Sequence, residues 1–462
     1  MIRRSFGLAT DLYELTMAAA YFERGMNHRA TFELFVRSLP PHRSYLITAG
    51  LDQALDYLSS LRLTPDEIEY LRSHPSFKHV SREFFDYLAE MRFSGDVWAM
   101  PEGTAAFGME PILRIEAPLI EAQIVETYLI SIITFETLIA SKAARVVTAA
   151  QGRGVIDFGT RRAHGPEAGL LAARAAYIGG CIGTSNAEAG HLFGIQTLGT
   201  LAHSFIMSFD HEEEAFRAFL AAFPDSATLL VDTYDTIRAV EILCKSFAGS
   251  GLNIAAIRLD SGDLAELSKR ARVMLDAAGL TETNIFASGD LNEYKISALI
   301  AGGAAIDGFG VGTELTTSYD SPALSGVYKL ASEELEGRII PRMKLSEGKA
   351  TYPCAKQVWR HSSEGGVYEY DTIALAGESE PKGAHQEARP LLDAVMKAGR
   401  IMRPASNQLL MARERAREEL RRLPRRLLAL DCAENYPVRF SPALEKERAE
   451  LSMKLRSDLD SK

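Results

Sequence analysis

Between Gln151 and Leu330 the chain repeats one pattern, a short β-branched or apolar run followed by a helical stretch. "VIDF" precedes "PEAGLLAARAAYI", "ATLLVDT" precedes "TIRAVEILCKSFAG", "NIAAIRLD" precedes "LAELSKRARVMLDAAG", "NIFASGD" precedes "LNEYKISALIAGG", and "IDGFGVGT" closes the series. Strands alternating with helices of this length make βαβ units, whose strands run parallel because each helix carries the chain back to its starting end. The number of units predicts a closed barrel rather than an open sheet. The glycines concentrate in the same stretch: 22 of 35 fall there, against 6 before it and 7 after. Glycine is needed where backbone takes positive φ or lies close to a ligand, so tight functional loops are expected here.

The strand ends carry polar residues: Arg161, Asp232, Arg258 with Asp260, Ser288 with Asp290, and Thr313. Any one of them could be polar only because strands emerge into solvent, but the set at corresponding positions matches where barrel enzymes hold their chemistry. Two consecutive glycine-rich loops, "ASGDLN" (287–292) and "GFGVGTEL" (308–315), suit phosphate, which binds to backbone N–H groups on the late loops of a barrel. In "FGTRRAHG" Arg161 and Arg162 stand where a strand gives way to a helix, a position for an anion, although Arg162 is also compatible with a structural ion pair. Asp232 and Asp260 suit sugar hydroxyls and a divalent cation, and equally suit N-caps of the helices that follow. His203 of "GTLAHSF" has no partner at triad or metal spacing and by itself reads more readily as a core or surface residue than as a catalyst.

The flanks differ. Residues 1–125 mix helices with strand-like pieces such as "ATFELFVR", an α+β domain. Residues 126–345 form the barrel domain, entered through a long amphipathic helix at 126–147 with Leu129, Ile132, Ile133 and Ile139 at helical spacing. Residues 346–462 form a C-terminal region, with a strand at "KQVWRH" and late helices, packing on the N-terminal domain and the barrel. Its charge run "MARERAREELRRLPRRLL" alternates Arg with Glu and lacks aromatics, the pattern of a solvated helix face.

A net charge of −10 argues against a chain that grips nucleic acid through its overall field. The start "MIRRSFGLATDLYELTM" lacks the apolar stretch of a signal peptide, and no run is long enough to cross a bilayer, so a cytoplasmic chain is expected. Cys181, Cys244, Cys354 and Cys432 are widely and unequally spaced, which predicts reduced, mostly buried thiols and no zinc site.

"TDLYELTM", "ATFELFVR", "ASKAAR", "FGTRRAHGPEAG", "GTSNAEAG", "GTLAHSF", "IRLDSGDL", "ASGDLNEYKI" and "GFGVGTEL" occur in the order of the nicotinate phosphoribosyltransferases, and "MKLSEGKATYPCAKQVWR" and "NYPVRFSPAL" continue the likeness. The whole chain resembles that family. The resemblance implies an irregular α/β (TIM-like) barrel packed against an N-terminal α/β domain, commonly as a homodimer with active sites at the subunit interface. It implies transfer of a phosphoribosyl group from 5-phosphoribosyl 1-pyrophosphate (PRPP) to nicotinate, coupled to ATP hydrolysis and served by Mg²⁺, in NAD salvage. On that likeness His203 is the residue ATP phosphorylates. Phe158 stacks on the pyridine ring, and Tyr13 of a neighbouring subunit stacks on its other face. Arg161 and Arg258 hold phosphate and the nicotinate carboxylate beside Thr200. Asp260 binds ribose hydroxyls with Asp232 nearby, and Gly289, Asp290, Gly312 and Thr313 cradle the 5-phosphate.

Four other readings compete. The nicotinamide-using relatives resemble this chain too, but carry an aspartate where "IGTSNAEAG" has Ser185, and an added carboxylate there would repel nicotinate. Quinolinate phosphoribosyltransferases are much shorter and lack the ATP-linked histidine. A non-catalytic pyridine-nucleotide-binding relative would have replaced His203, Asp260 or the glycine loops. A pyridoxal-phosphate barrel would need a strand-end lysine, whereas Lys142 and Lys295 read as helical.

Overall fold

The structure, a computed structural model, describes residues 6–249, 252–346, 351–379, 387–402, 408–431 and 434–460. Cys432 lies outside the described residues; Cys181, Cys244 and Cys354 are free thiols. The chain forms two compact units, residues 1–137 with 323–462, and residues 138–322. The helix Glu126–Ala149 begins in one unit and ends in the other.

The first unit is built on a seven-stranded antiparallel sheet with Arg29–Val36 near its middle, flanked by Gly326–Leu335 and Pro111–Pro118. All but the first residue of Arg29–Val36 are buried, as befits a central strand covered on both faces. Leu129, Ile132 and Ile133 are buried, so the apolar stripe read from the sequence is a core face.

A four-stranded sheet also belongs to this unit, ordered Glu387–Pro390, Lys356–Ser362, Tyr368–Leu375 and Val438–Phe440. Beneath it, the fully buried Arg360 donates to Asp371 at 2.6 Å and to Glu419 at 2.6 Å. Tyr436 donates its hydroxyl to Asp371 at 3.0 Å. Burial first, and then the negative Asp371, raises the carboxyl of Glu110 well above its usual range, so Glu110 stays protonated. Arg360→Met would take the cation from the buried Asp371 and leave Glu419 paired with Arg389 alone. We expect it to destabilise the protein by about 3–5 kcal/mol, read as a fall in the denaturant midpoint at unchanged slope.

The second unit holds six parallel strands: β1 (Gly154–Asp157), β2 (Gly183–Thr184), β3 (Thr228–Leu230), β4 (Ala256–Leu259), β5 (Asn284–Ala287) and β6 (Gly308–Val311). Their order, β2-β1-β6-β5-β4-β3, is that of a half-barrel. Backbone pairing among the described residues does not run from β2 round to β3, so the expected barrel is irregular and its ring is not closed by a ladder. Helices Pro166–Ile178, Thr236–Phe247, Leu264–Ala277 and Glu293–Ala301 follow the strands in alternation. Leu229, Ile257, Leu259 and Ile285 join the buried faces of Val240, Leu243, Ala271 and Leu275 in one apolar cluster. That packing holds the strand ends in register, and so positions the loops that leave them.

Candidate active site

The loops at the carboxyl ends of these strands surround a cavity of about 660 Å³. Its lining includes Phe158, Arg161, Arg162, Ser185, Thr200, Arg258, Asp260, Ser288, Gly289, Asp290, Gly312 and Thr313. Residues far apart in sequence converge because parallel strands send all their carboxyl ends to one side.

Arg258, the third residue of β4, is the centre of the polar lining. Its Nε donates to Ser288 Oγ at 2.7 Å, Nη1 to Thr200 Oγ1 at 2.8 Å and Nη2 to Asp260 Oδ1 at 2.5 Å. Three acceptors in the plane of one guanidinium fix its orientation, which a flexible ammonium would not achieve. The guanidinium carbon also lies 5.5 Å from the centre of the Phe158 ring, in cation–π range. Burial would raise the Asp260 carboxyl, but the hydrogen bond from Ser288 and the charge of Arg258 outweigh it, so it stays below the usual carboxylate range. Asp260 is therefore an anion at neutral pH.

The helix caps are not the aspartates that chain position alone leaves open. Asp235 accepts from Arg238 N at 2.8 Å and caps Thr236–Phe247, while Asp263 accepts from Glu266 N at 3.1 Å and caps Leu264–Ala277. Asp232 and Asp260 are thus free of capping. Asp232 accepts from Asp260 N at 3.1 Å and from Ser261 Oγ at 2.6 Å, which holds it just behind Asp260. Its Oδ1 is buried with no hydrogen-bond partner among the described residues.

Two glycines make room. A Cβ on Gly310 would stand 2.4 Å from the Phe158 ring, so only glycine lets that ring lie against β6. Gly289 has φ +95°, and a Cβ there would meet the Asp260 carbonyl oxygen at 2.0 Å. With Asp290 at φ +47°, Gly289 turns the backbone so that successive N–H groups face outward. Neither these N–H groups nor those of Gly312 and Thr313 have an acceptor among the described residues. Arg161 and Arg162 are exposed on a 3₁₀ turn, with no carboxylate within 4.0 Å among the described residues. The structural ion pair considered for Arg162 is not formed, and the residue lines the cavity instead.

His203 opens the short helix His203–Met207, with Nδ1 3.2 Å from Thr233 Oγ1. It is half-buried and outside the residues that line the cavity. Ser185 is exposed at the cavity, its N–H donating to Asp157 O at 2.8 Å. Tyr13 lies in the first unit on the helix Leu12–Glu23, with 47% of its surface exposed.

Sequence reasoning missed several contributors. Ser288 was legible only as a polar strand end, and Thr233 not at all. The buried Asp157 accepts from Gly159 N at 2.9 Å and from Thr184 Oγ1 at 2.7 Å, fixing the turn that aims Arg161. Its position inside an apolar strand, "VIDF", was the available signal.

The lining of one cavity collects the Arg161, Arg162 and Arg258 cations, backbone donors without an acceptor among the described residues, and the Asp260 carboxylate. Such a site can hold a multiply charged anion and bind hydroxyls at the same time. Fold and site together define the class: an α/β-barrel enzyme with a cationic cavity at the carboxyl ends of its strands.

Comparison with known proteins takes this further. Residues 8–134 match the nicotinate phosphoribosyltransferase (NAPRTase) N-terminal domain, 139–320 the quinolinate phosphoribosyl transferase C-terminal domain, and 382–448 the nicotinate phosphoribosyltransferase C-terminal domain. The chain is 47% identical over 454 residues to nicotinate phosphoribosyltransferase pncB2 of Mycobacterium tuberculosis, covering 97% of this chain and 95% of that protein. It is 44% identical over 388 residues to the nicotinate phosphoribosyltransferase of Bacillus subtilis, covering 81% and 77%. Among solved structures, human nicotinic acid phosphoribosyltransferase superposes with a TM-score of 0.85 at 27% identity, covering 96% of this chain and 99% of that one. The chain belongs to the nicotinate phosphoribosyltransferase family.

Proposed function

We propose that this protein is a nicotinate phosphoribosyltransferase, joining nicotinate to the phosphoribosyl group of PRPP with release of pyrophosphate, in NAD salvage, with ATP as co-substrate. The observation that carries this reading is the fixed Arg258, which faces a cavity edged by the unpaired N–H groups of Gly289, Asp290, Gly312 and Thr313. Nicotinate binds with its ring on Phe158 and its carboxylate on Arg258 or Arg161, beside Thr200. The 5-phosphate of PRPP sits on the two glycine loops, and the ribose hydroxyls donate to the ionised Asp260.

As the bond to pyrophosphate breaks, positive charge grows on the ribosyl carbon and negative charge on the leaving group. Asp260 faces the first, and Arg161 and Arg162 the second. Positioning and fixed charge drive the transfer, and no protein nucleophile is needed. In the tautomer whose Nδ1–H donates to Thr233, the His203 ring presents Nε2 as the lone pair that attacks the γ-phosphoryl group of ATP, and ADP leaves.

A Mg²⁺ ion fits here. Asp232 Oδ1 is buried and unpartnered, and carboxylate oxygen shared with substrate phosphates is the set this cation takes. Asp232 and Asp260 would hold it, and it would neutralise charge on the pyrophosphate. Tyr13 stacks on the outer face of the ring from a second copy of the chain, a reading supported by its exposed side chain. The reaction runs in the cytosol, in keeping with the free thiols of Cys181, Cys244 and Cys354; no described helix is long and apolar enough to cross a membrane.

Choice of base tests the reading at Ser185. Wild type is expected to prefer nicotinate to nicotinamide in kcat/KM. Ser185→Asp is expected to cut nicotinate kcat/KM about a hundredfold, because a carboxylate is set against a carboxylate. Equal loss for both bases would mean that Ser185 only shapes the cavity, and preference of wild type for nicotinamide would reject the acid substrate.

A further inference from the structure

A cluster of charge outside the cavity lies behind the two glycine loops, within the second unit. Lys142 Nζ, on the helix Glu126–Ala149, is 2.6 Å from Glu293 Oε2, 2.9 Å from Asp320 Oδ1 and 3.7 Å from Glu314 Oε2. One turn on, Arg145 Nε donates to Glu293 Oε1 at 3.1 Å. The Lys142 side chain is 1% exposed and that of Glu293 0%.

The partners of Lys142 belong to different loops. Glu293 is the first residue of the helix that follows Gly289 and Asp290, and Asn292 caps that helix by accepting from Lys295 N at 3.0 Å. Glu314 and Asp320 lie in the segment that follows Gly312 and Thr313. One buried ammonium therefore ties both loops to the same helix from behind.

Stability alone does not account for such a cluster. Apolar side chains of similar volume in place of a buried ion pair are often at least as stable, since removing charges from water costs several kcal/mol. Charged partners do differ from apolar ones in geometry. An ammonium in ion-pair contact with carboxylates of two segments fixes separations that apolar surfaces leave free to slide.

We infer that Lys142 is a positioning residue that sets the spacing of the two loops on which the PRPP 5-phosphate sits. This rests on the phosphate-loop reading proposed above. Lys142 touches no substrate, so its removal acts through loop position, and a displacement of about 1 Å can cost on the order of a hundredfold.

The test compares wild type, Lys142→Met and Asp320→Asn in steady-state mononucleotide formation from nicotinate and PRPP, with folding followed by thermal melting. Lys142→Met is expected to raise the KM for PRPP by about thirtyfold or more and Asp320→Asn by about three- to tenfold, while the KM for nicotinate at saturating PRPP stays within about twofold. Inhibition by ribose 5-phosphate should weaken in parallel, while inhibition by inorganic pyrophosphate, which the arginines hold, should not. If Lys142→Met does not fold, Asp320→Asn decides, because the Asp320 side chain is 28% exposed and its loss leaves the Lys142–Glu293 pair intact. A PRPP KM within twofold of wild type in a folded variant would overturn the inference, as would an equal rise in both KM values. Wild type forming no mononucleotide would instead sink the phosphoribosyl-transfer reading, and this inference with it.

Discussion

Arg258→Ala is expected to lower kcat/KM for nicotinate mononucleotide formation by about 10²–10³-fold, the loss typical when one fixed charge-stabilising donor is removed. The reason is local. The guanidinium is held by Ser288, Thr200 and Asp260 and lies over Phe158, so its direction is set before substrate arrives. Without it Asp260 loses its cation, and its carboxyl rises, because burial is the largest influence on it and the Ser288 hydrogen bond is left to oppose burial. The pH at which activity falls on the acid side should therefore move upward in the variant. Arg258→Lys restores charge without the three-way fork and is expected to recover less than a tenth of the lost activity. Steady-state kinetics across a pH series checks each part. An alanine variant within tenfold of wild type would remove Arg258 from the reaction.

His203→Ala is expected to abolish the response to ATP. In wild type, ATP should raise turnover or PRPP affinity on the order of tenfold or more, the range of an ordinary coupling free energy. In the variant, rates with and without ATP should agree within about twofold, and label from γ-phosphate-labelled ATP should no longer reach the protein. The ATP-independent rate should persist, since His203 lies outside the cavity lining and its ring bonds Thr233 rather than the Arg258 cluster. Stimulation that survives the substitution would assign phosphate transfer to another group.

Much of this site was legible before any coordinates. The strand runs and helices of 151–330 fall where periodicity puts them, because each is long and regular enough for local pattern to dominate. Phe158, Arg161, Arg258 and Asp260 stand at strand ends and meet at one cavity for the reason that parallel strands share an end. What sequence left open was which aspartate caps and which faces the ligand. Asp232 and Asp235, or Asp260 and Asp263, are each three residues apart, and only the path of the turn decides between them.

The C-terminal region was least legible. Tyr368–Leu375 pairs on one side with Val438–Phe440 and Asp393–Lys397 with Asp96–Ala99, partners distant in sequence, and that pairing leaves little local signature. Glu419 makes the same point. In "MARERAREELRR" it reads as one more solvated charge, yet it is buried against Arg360 because the helix Gln408–Arg422 turns Ala412, Ala416 and Glu419 inward.

The most direct test is chromatographic measurement of mononucleotide formed by the purified protein from nicotinate and PRPP, with Mg²⁺, in the presence and absence of ATP. Nicotinate mononucleotide formed with one equivalent of pyrophosphate, and faster with ATP, is the predicted result. No mononucleotide from nicotinate under either condition, with the protein folded, would contradict the assignment of this cavity to phosphoribosyl transfer.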